Sequence, residues 1–511
     1  MCGPCSRYSA TFSDCEYTDT GPSHGQILEE QISILQARIE ELEKPKGLRS
    51  SLSLHQASTS RAGLSSPPIS PTNTMGLGPL LSHFYLQQTS GSPMPPDTNN
   101  SMPTELPFIV LQALAHNFLH NVSHFGFFLD TQAFHDAVTS SDGQNLSPVL
   151  MNVMYLWGVH LSKSEQITVY EPALLAHALR STAGSLTGTH PRTILHSLQA
   201  EVLLAYYFIR NVRFLEARYH TSAAVSIALS SGLHRIRTQS GQGPPIQSTF
   251  EALTPPKDAA EEGERISAFW NVLNLNNCWA GTDGSSSNVS YGPSGLKIDT
   301  PWPLDTRDYV ERPHRLPRRN SGTIAKFLAN VPDEATSQAA LYAKAGILFE
   351  QATALAARYR AGGIPGNDPE FGVVDTKIDT FKAILPPVQS KYILVVHSLS
   401  NVATIQLHDP FVSQNMFSRN KTLSAARFIA DLLTKVDVQN LGHIDPVLAP
   451  LWTSTCLVFI AELAQQGANH TKGLMDSFKI VVAAMQVFAP HCRLMTAQLA
   501  AVRQAYSSAQ I

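Results

Sequence analysis

The feature that most limits this chain is the apolar spacing that runs from about Leu106 to the C-terminus. Leu195, Leu198, Val202, Ala205 and Ile209 recur at alternating steps of three and four, which places them on one face of an α-helix. Ala217, Thr221, Ala224 and Ala228 line one face of the next helix, and their small size lets a neighbouring helix approach closely. Ser230-Ser231-Gly232 ends that helix, with Gly232 placed to take the left-handed conformation that closes helices. Similar spacing predicts helices near 106–121, 147–163, 262–280, 335–360, 389–408, 421–436, 446–466, 471–488 and 492–508. No run of alternating β-branched residues with hairpin turns occurs, and no repeat of fixed period. The expected fold class is all-α. With 511 residues, 43% hydrophobic and only 15% charged, the chain can bury a large core, which excludes wholesale disorder. The longest uncharged apolar run, around Val447 to Ala461, is about 15 residues against the roughly 20 that a bilayer needs, and it contains Pro450 and Thr453. The N-terminus carries no apolar signal segment. A soluble, intracellular protein with no membrane partner is expected.

Four zones separate by composition: a cysteine-containing motif at 1–24, a charged amphipathic helix at 25–45, a Ser/Pro-rich linker at 46–105, and the helical domain at 106–511. The linker has too few apolar residues to offset its ordering entropy, so it is expected to be disordered. One patch within it, Leu77 to Leu86, is apolar enough to be a short docking segment or a cluster with no partner. In the amphipathic helix, Leu28, Ile32, Leu35, Ile39 and Leu42 are spaced four, three, four, three, a heptad seam with isoleucine at a and leucine at d. That combination favours a parallel two-stranded coiled coil, with Arg38 at g facing Glu43 at e of a partner chain. A homodimer is the expected outcome, and a surface helix packed on its own domain is the alternative.

Cys2, Cys5 and Cys15 lie within the first fifteen residues. A C-x-x-C pair puts two thiolates on one tight turn, able to grip one metal ion, and a third cysteine can close a third position. Structural zinc wants four ligands in a tetrahedron, so three cysteines do not complete a site. His24 as fourth ligand, a redox pair, and chance all stay open. Elsewhere, His116, His120 and His124 repeat every four residues and would stack on one helix face, either as a metal site or as the polar face of the domain's first helix. Arg312 to Arg319 form a basic, proline-containing run, read as a solvated loop or a nuclear-import patch. His234 and Arg235, following Gly232, are expected to pair with acidic residues inside the domain. Enzyme signatures fail: no G-x-S-x-G, no phosphate loop, no H-E-x-x-H, no dinucleotide fingerprint and no Asp-Asp pair. No enzyme activity is expected. The formal charge of −3 supplies no overall basic field for nucleic acid.

The segment from Cys2 to Glu43 resembles the second half of a fungal Zn₂Cys₆ binuclear-cluster DNA-binding domain with its linker and coil. Cys2, Cys5 and Cys15 match that family's fourth, fifth and sixth cysteines. Downstream, the stretch holding Gln199, Ala200, Leu203, Leu204 and Tyr206, then Glu216-Ala217, then Gly232-Leu233-His234-Arg235, resembles the fungal-specific, xylanolytic-activator-type regulatory domain. A second block carries Glu264, Arg265, Phe269 and Trp270 and leads into Ile298-Asp299-Thr300-Pro301-Trp302-Pro303. The resemblance implies a nuclear, zinc-dependent transcription factor that binds promoter DNA, forms a homodimer through its coil and engages the RNA polymerase II transcription machinery. It implies Zn²⁺ as cofactor, held by Cys2, Cys5 and Cys15. The family's first three cysteines and the basic residues among them are absent, and a gene model or splice form missing its first exon is the expected reason. Residues 1–50 carry five basic residues against eight acidic ones, the wrong sign for a duplex. The alternative is an interaction protein that does not bind DNA and pairs with full-length factors.

Overall fold

The computed structural model describes residues 108–139, 146–162, 164–187, 190, 192–238, 253–284, 287–291, 295–362, 369–465 and 472–509. The cysteine motif, the heptad helix and the linker, and with them Cys2, Cys5, Cys15, Leu28, Ile32, Leu35, Ile39 and Leu42, lie outside the described residues. Among the described residues the fold is all-helical, with an isolated parallel β-bridge between Thr238 and Asn320.

The longer helices are α1 (Phe108–Asn121), α2 (Thr131–Thr139), α3 (Pro148–His160), α4 (Glu171–Ala183), α5 (Thr193–Arg210), α6 (Phe214–Ser230) and α7 (Ala259–Asp283). They continue with α8 (Gln338–Arg360), α9 (Pro369–Ala383), α10 (Lys391–His408), α11 (Met416–Thr434), α12 (Leu448–Gln465), α13 (Lys472–Phe488) and α14 (Arg493–Ser508). Caps fix several starts: the side chains of Asp258, Ser337, Ser390 and Asn415 each accept a backbone N–H of the following first turn. Gly232, at φ +75°, closes the turn after α6 as its sequence position predicts.

Helix α5 sits at the centre. Its spacing predicts one buried face, but every residue except Ile194 is buried. Several polar members find partners on other elements, while the Ser197 hydroxyl and His196 Nε2 are buried with none among the described residues. Gln199 donates to the Gly126 carbonyl at 3.2 Å and accepts from the Phe128 N–H at 2.8 Å, while Glu201 pairs with His220 of α6 at 2.6 Å. On α6, Ala217, Thr221, Ala224 and Ala228 are all buried, and α5 and α6 pack side by side. Helices α3 and α4 cover another side of α5, and α1 packs on α3. At the α1–α3 crossing, a Cβ on Gly158 would lie 2.3 Å from the Leu114 carbonyl oxygen, so only hydrogen fits. From α7 the packing passes to α8, then α10, then α11, with α12, α13 and α14 closing the far end.

The chain then returns to its centre. Helix α14 touches α5, and the Arg210 guanidinium donates to the His491 carbonyl at 2.6 Å. Helix α12 reaches Gln465, longer than the apolar run suggested, and passes a length and hydropathy test for a membrane span, as does Lys472–His491. The first is 78% buried against its neighbours, as a core helix is, and the second buries one face through Leu474, Phe478, Val481 and Met485.

The hallmark residues act as structural locks. Glu264 pairs with Arg192 and accepts the Asp130 N–H at 2.8 Å; Arg265 donates to Glu261 at 2.6 Å and to the Thr254 carbonyl at 2.7 Å. Trp270 donates to the Pro301 carbonyl at 2.7 Å and stacks on Trp302 at 4.6 Å. Asp299 accepts from the Thr238 hydroxyl and from the Gly322 N–H, tying three loops together.

Candidate functional site

Between α7, α8 and α10 lies a cleft of about 360 Å³. Ser267, Asn271 and Asn274 come from one face of α7, at i, i+4 and i+7; Tyr342 comes from α8, Tyr392 from the first turn of α10, and Phe127 and Phe128 from the loop after α1. Gln199 holds that loop from within α5 through the two hydrogen bonds given above. Asp305, Thr306 and Gln338 stand exposed at the mouth. Five of the fourteen lining residues are aromatic and six are polar, so apolar faces and hydrogen-bonding groups alternate around the cleft.

Adjoining the cleft, a second pocket of about 20 Å³ shares Asn271, Tyr342 and Tyr392 with it and is also lined by His124, Lys391 and Asp445. The Lys391 ammonium donates to the His443 carbonyl at 3.0 Å and sits 2.9 Å from His124 Nε2. That nitrogen must therefore accept, which puts the His124 proton on Nδ1. Burial and the Lys391 charge lower the His124 pKa to about 4, so the ring is neutral at pH 7. Asp445 accepts from the Tyr342 hydroxyl at 2.8 Å and from the Val447 N–H at 2.9 Å, and burial raises its pKa to about 6.

Beside this pocket, Arg210 lies over the Phe125 ring at 5.0 Å and donates to His160 Nε2 at 3.3 Å. His160 Nδ1 then donates to Glu171 at 2.8 Å, which also accepts from the Tyr207 hydroxyl at 2.8 Å. Burial pushes the Glu171 pKa up, but the His160 and Tyr207 hydrogen bonds outweigh it and the net shift is downward.

Two expectations about histidines are corrected. The His116, His120, His124 stack does not form, because α1 ends at Asn121; His116 and His120 are exposed while His124 turns inward to Lys391. Among the described residues no cluster of three His, Cys, Asp or Glu could hold a metal ion. His234 does not pair with an acid either. Its carbonyl accepts from the Asp299 and Thr300 N–H groups, its buried Nδ1 has no partner among the described residues, and the acid pairing falls to Arg237, bidentate on Glu262 at 2.7 and 2.8 Å. The Arg312–Arg319 run is an exposed loop in which Arg315 reaches Asp308 at 3.0 Å.

A Ser418–His408–Asp375 series also exists, at 3.0 and 3.1 Å. Ser418 and His408 are buried, and Phe371 and Phe417 pack edge-on against the imidazole, so no substrate reaches the hydroxyl. It fixes α11 to α9 and α10.

Among the described residues this is an all-helical domain held together by polar locks, with an aromatic-lined cleft and a small pocket beside it that carries Lys391 and Asp445. Residues 115–281 match the fungal specific transcription factor domain, from the second half of α1 almost to the end of α7. That is a family of transcription factor domains, not of enzymes. No zinc-cluster family is detected in the chain, and neither the curated proteins nor the solved structures return a match.

Lys391, Tyr342, Asn271, Asn274 and Asp445, which line the cleft or the small pocket beside it, belong to no motif in the sequence. A faint signal is present: Asn271, Asn274, Asn276 and Asn277 interrupt the apolar stretch from Ile266 to Trp279, and Asp445 stands three residues before the apolar α12.

Proposed function

We propose that this protein regulates RNA polymerase II transcription from the nucleus, binding promoter DNA through a zinc-folded reader and forming a homodimer through its coil. The observation that carries this reading is the fungal specific transcription factor domain at 115–281. Residues 1–24 carry the second half of that reader, its first half being absent from this chain; 25–45 form the coil, 46–105 the linker and 106–511 the regulatory domain. The donor set at the N-terminus is chemically suited to zinc, since Cys2, Cys5 and Cys15 are soft thiolates at C-x-x-C spacing. They supply three of the six thiolates that a binuclear cluster shares, so they fit half of one. When bound, the metal supplies folding free energy to the small module; it has no catalytic part.

A second reading is favoured by the acidic balance of residues 1–50: the chain reaches promoters by pairing with a DNA-binding partner through the heptad seam. Genome-wide crosslinking of the tagged protein tests both. Direct binding predicts that Cys5→Ser abolishes promoter occupancy. Partner-mediated binding predicts that Cys5→Ser leaves it intact while Leu35→Asp removes it. No promoter enrichment with either wild-type or variant chain would overturn the regulatory reading itself.

A further inference from the structure

We propose that the cleft between α7, α8 and α10 binds a small organic acid with a planar apolar body, its carboxylate received by the Lys391 ammonium. The volume comes first. At about 360 Å³ the cleft lies at the small end of ligand sites, enough for one or two fused rings with a short side arm. Phe127, Phe128, Trp270 and Tyr392 supply apolar faces for such a body.

The charge comes second. Lys391 is half-buried, and among the described residues no carboxylate lies within 4.0 Å of it. An ammonium has three hydrogens. Two are taken by His124 Nε2 and the His443 carbonyl, and the third has no acceptor among the described residues. His124 is a neutral acceptor and does not offset the charge. Asp445, in the same small pocket, has its two oxygens committed to Tyr342 and Val447. The adjoining pocket of about 20 Å³, which shares Asn271, Tyr342 and Tyr392 with the cleft, has room for one water-sized group, such as a single carboxylate oxygen, beside Lys391.

An unpartnered polar group comes third. Asn274 lines the cleft, is 6% exposed, and its Oδ1 is buried with no hydrogen-bond partner among the described residues. A buried acceptor without a partner is costly, and a rotation of the amide from its place against Gly346 toward the cleft would offer it to a ligand donor. The neighbouring pocket of about 420 Å³ beyond Trp302 lacks this combination: there Lys326 and Arg315 stand at an open rim with Asp333 and Glu334.

The site is independent of whether the chain contacts DNA, so its test uses binding alone. The full-length chain is titrated with 1-naphthylacetate, phenylacetate and the neutral isostere 1-naphthylacetamide, followed by calorimetry and by tryptophan emission, since Trp270 lines the cleft. Both acids are expected to bind, and the amide about tenfold more weakly or worse. Lys391→Met should remove the preference for acid over amide, Lys391→Arg should retain it, and Lys326→Met in the neighbouring pocket should change nothing. Circular dichroism of each variant separates lost binding from lost folding. Equal affinity for acid and amide, binding unchanged in folded Lys391→Met, or no binding of either acid at millimolar concentration would each overturn the proposal.

Discussion

Gly158 offers a substitution in which two effects of opposite sign compete. It lies in the interior of α3, where replacing glycine by alanine ordinarily stabilises a helix by about 1 kcal/mol. Here the added methyl would stand 2.3 Å from the Leu114 carbonyl oxygen and 2.8 Å from the Leu114 Cβ, where ordinary contact begins near 3.4 Å. The backbone of α1 must therefore retreat by about 1 Å, which is overpacking at a helix crossing and costs about 1–3 kcal/mol. The retreat also strains the bond from Asn117 Nδ2 to the Gly158 carbonyl, 2.8 Å long, worth about 1 kcal/mol more. The clash wins: Gly158→Ala is expected to destabilise the domain by roughly 1–3 kcal/mol net. Gly372 is the control. It is an exposed position in α9 where a Cβ meets nothing within 4 Å, so Gly372→Ala should stabilise by up to about 1 kcal/mol. Urea midpoints of the two variants, read by far-UV circular dichroism, should move in opposite directions. A Gly158→Ala protein as stable as the parent, or more so, would refute the close crossing of α1 and α3.

Three further outcomes are expected. Burial, then Arg192 and His190, lower the His196 pKa to about 3; because the unfolded ring binds its proton near pH 6.5 and the folded one does not, stability is lost as pH falls below 6.5. At pH 5 that loss is about 2 kcal/mol, and His196→Gln should flatten the fall in melting temperature between pH 7 and pH 5. Gln199→Leu leaves the Phe128 N–H and the Gly126 carbonyl without their partner, costing about 2–4 kcal/mol in a denaturant midpoint and loosening the aromatic wall of the cleft. Leu35→Asp puts a charge into the heptad seam and should turn a residue 1–60 fragment, fused to a monomeric carrier, from concentration-dependent dimer to monomer in the ultracentrifuge; a parent fragment already monomeric at high micromolar concentration would remove the coil.

Spacing alone carries some of this architecture and not the rest. The small residues of α6 and the Gly232 turn are legible because both are local: a stripe of alanines permits only close packing, and a glycine after two serines sits where a helix must stop. Helix α5 was misjudged because its second face is polar, and His196, Gln199 and Glu201 are tolerated inside only through partners on α6 and in the 126–130 and 147 segments, which no window along the chain contains. Helices α2, α4 and α9 were missed because most of their surface faces solvent, so their apolar stripe is thin. The small pocket beside the cleft gathers residues separated by more than 300 positions, from His124 to Asp445, and its ammonium, Lys391, looks ordinary at the start of an apolar helix. His124 drew attention for a metal-like period and turned out to matter as a neutral acceptor.

Arg210 ends the central helix and is anchored on the His491 carbonyl, across 281 positions of chain. That single clasp changes how deletion experiments should be interpreted. A fragment cut to the boundaries of the recognised domain, 115–281, would strip α8 from α7 and leave the Arg210 guanidinium buried among aromatic rings without its carbonyl. Progressive C-terminal deletions meet the same difficulty at their first steps, since removing α14 and the turn before it bares the end of α5. Loss of regulatory output in such a series would then report collapse of the scaffold, not the position of an activation segment. Mapping by surface substitution, with α14 kept in place, separates the two.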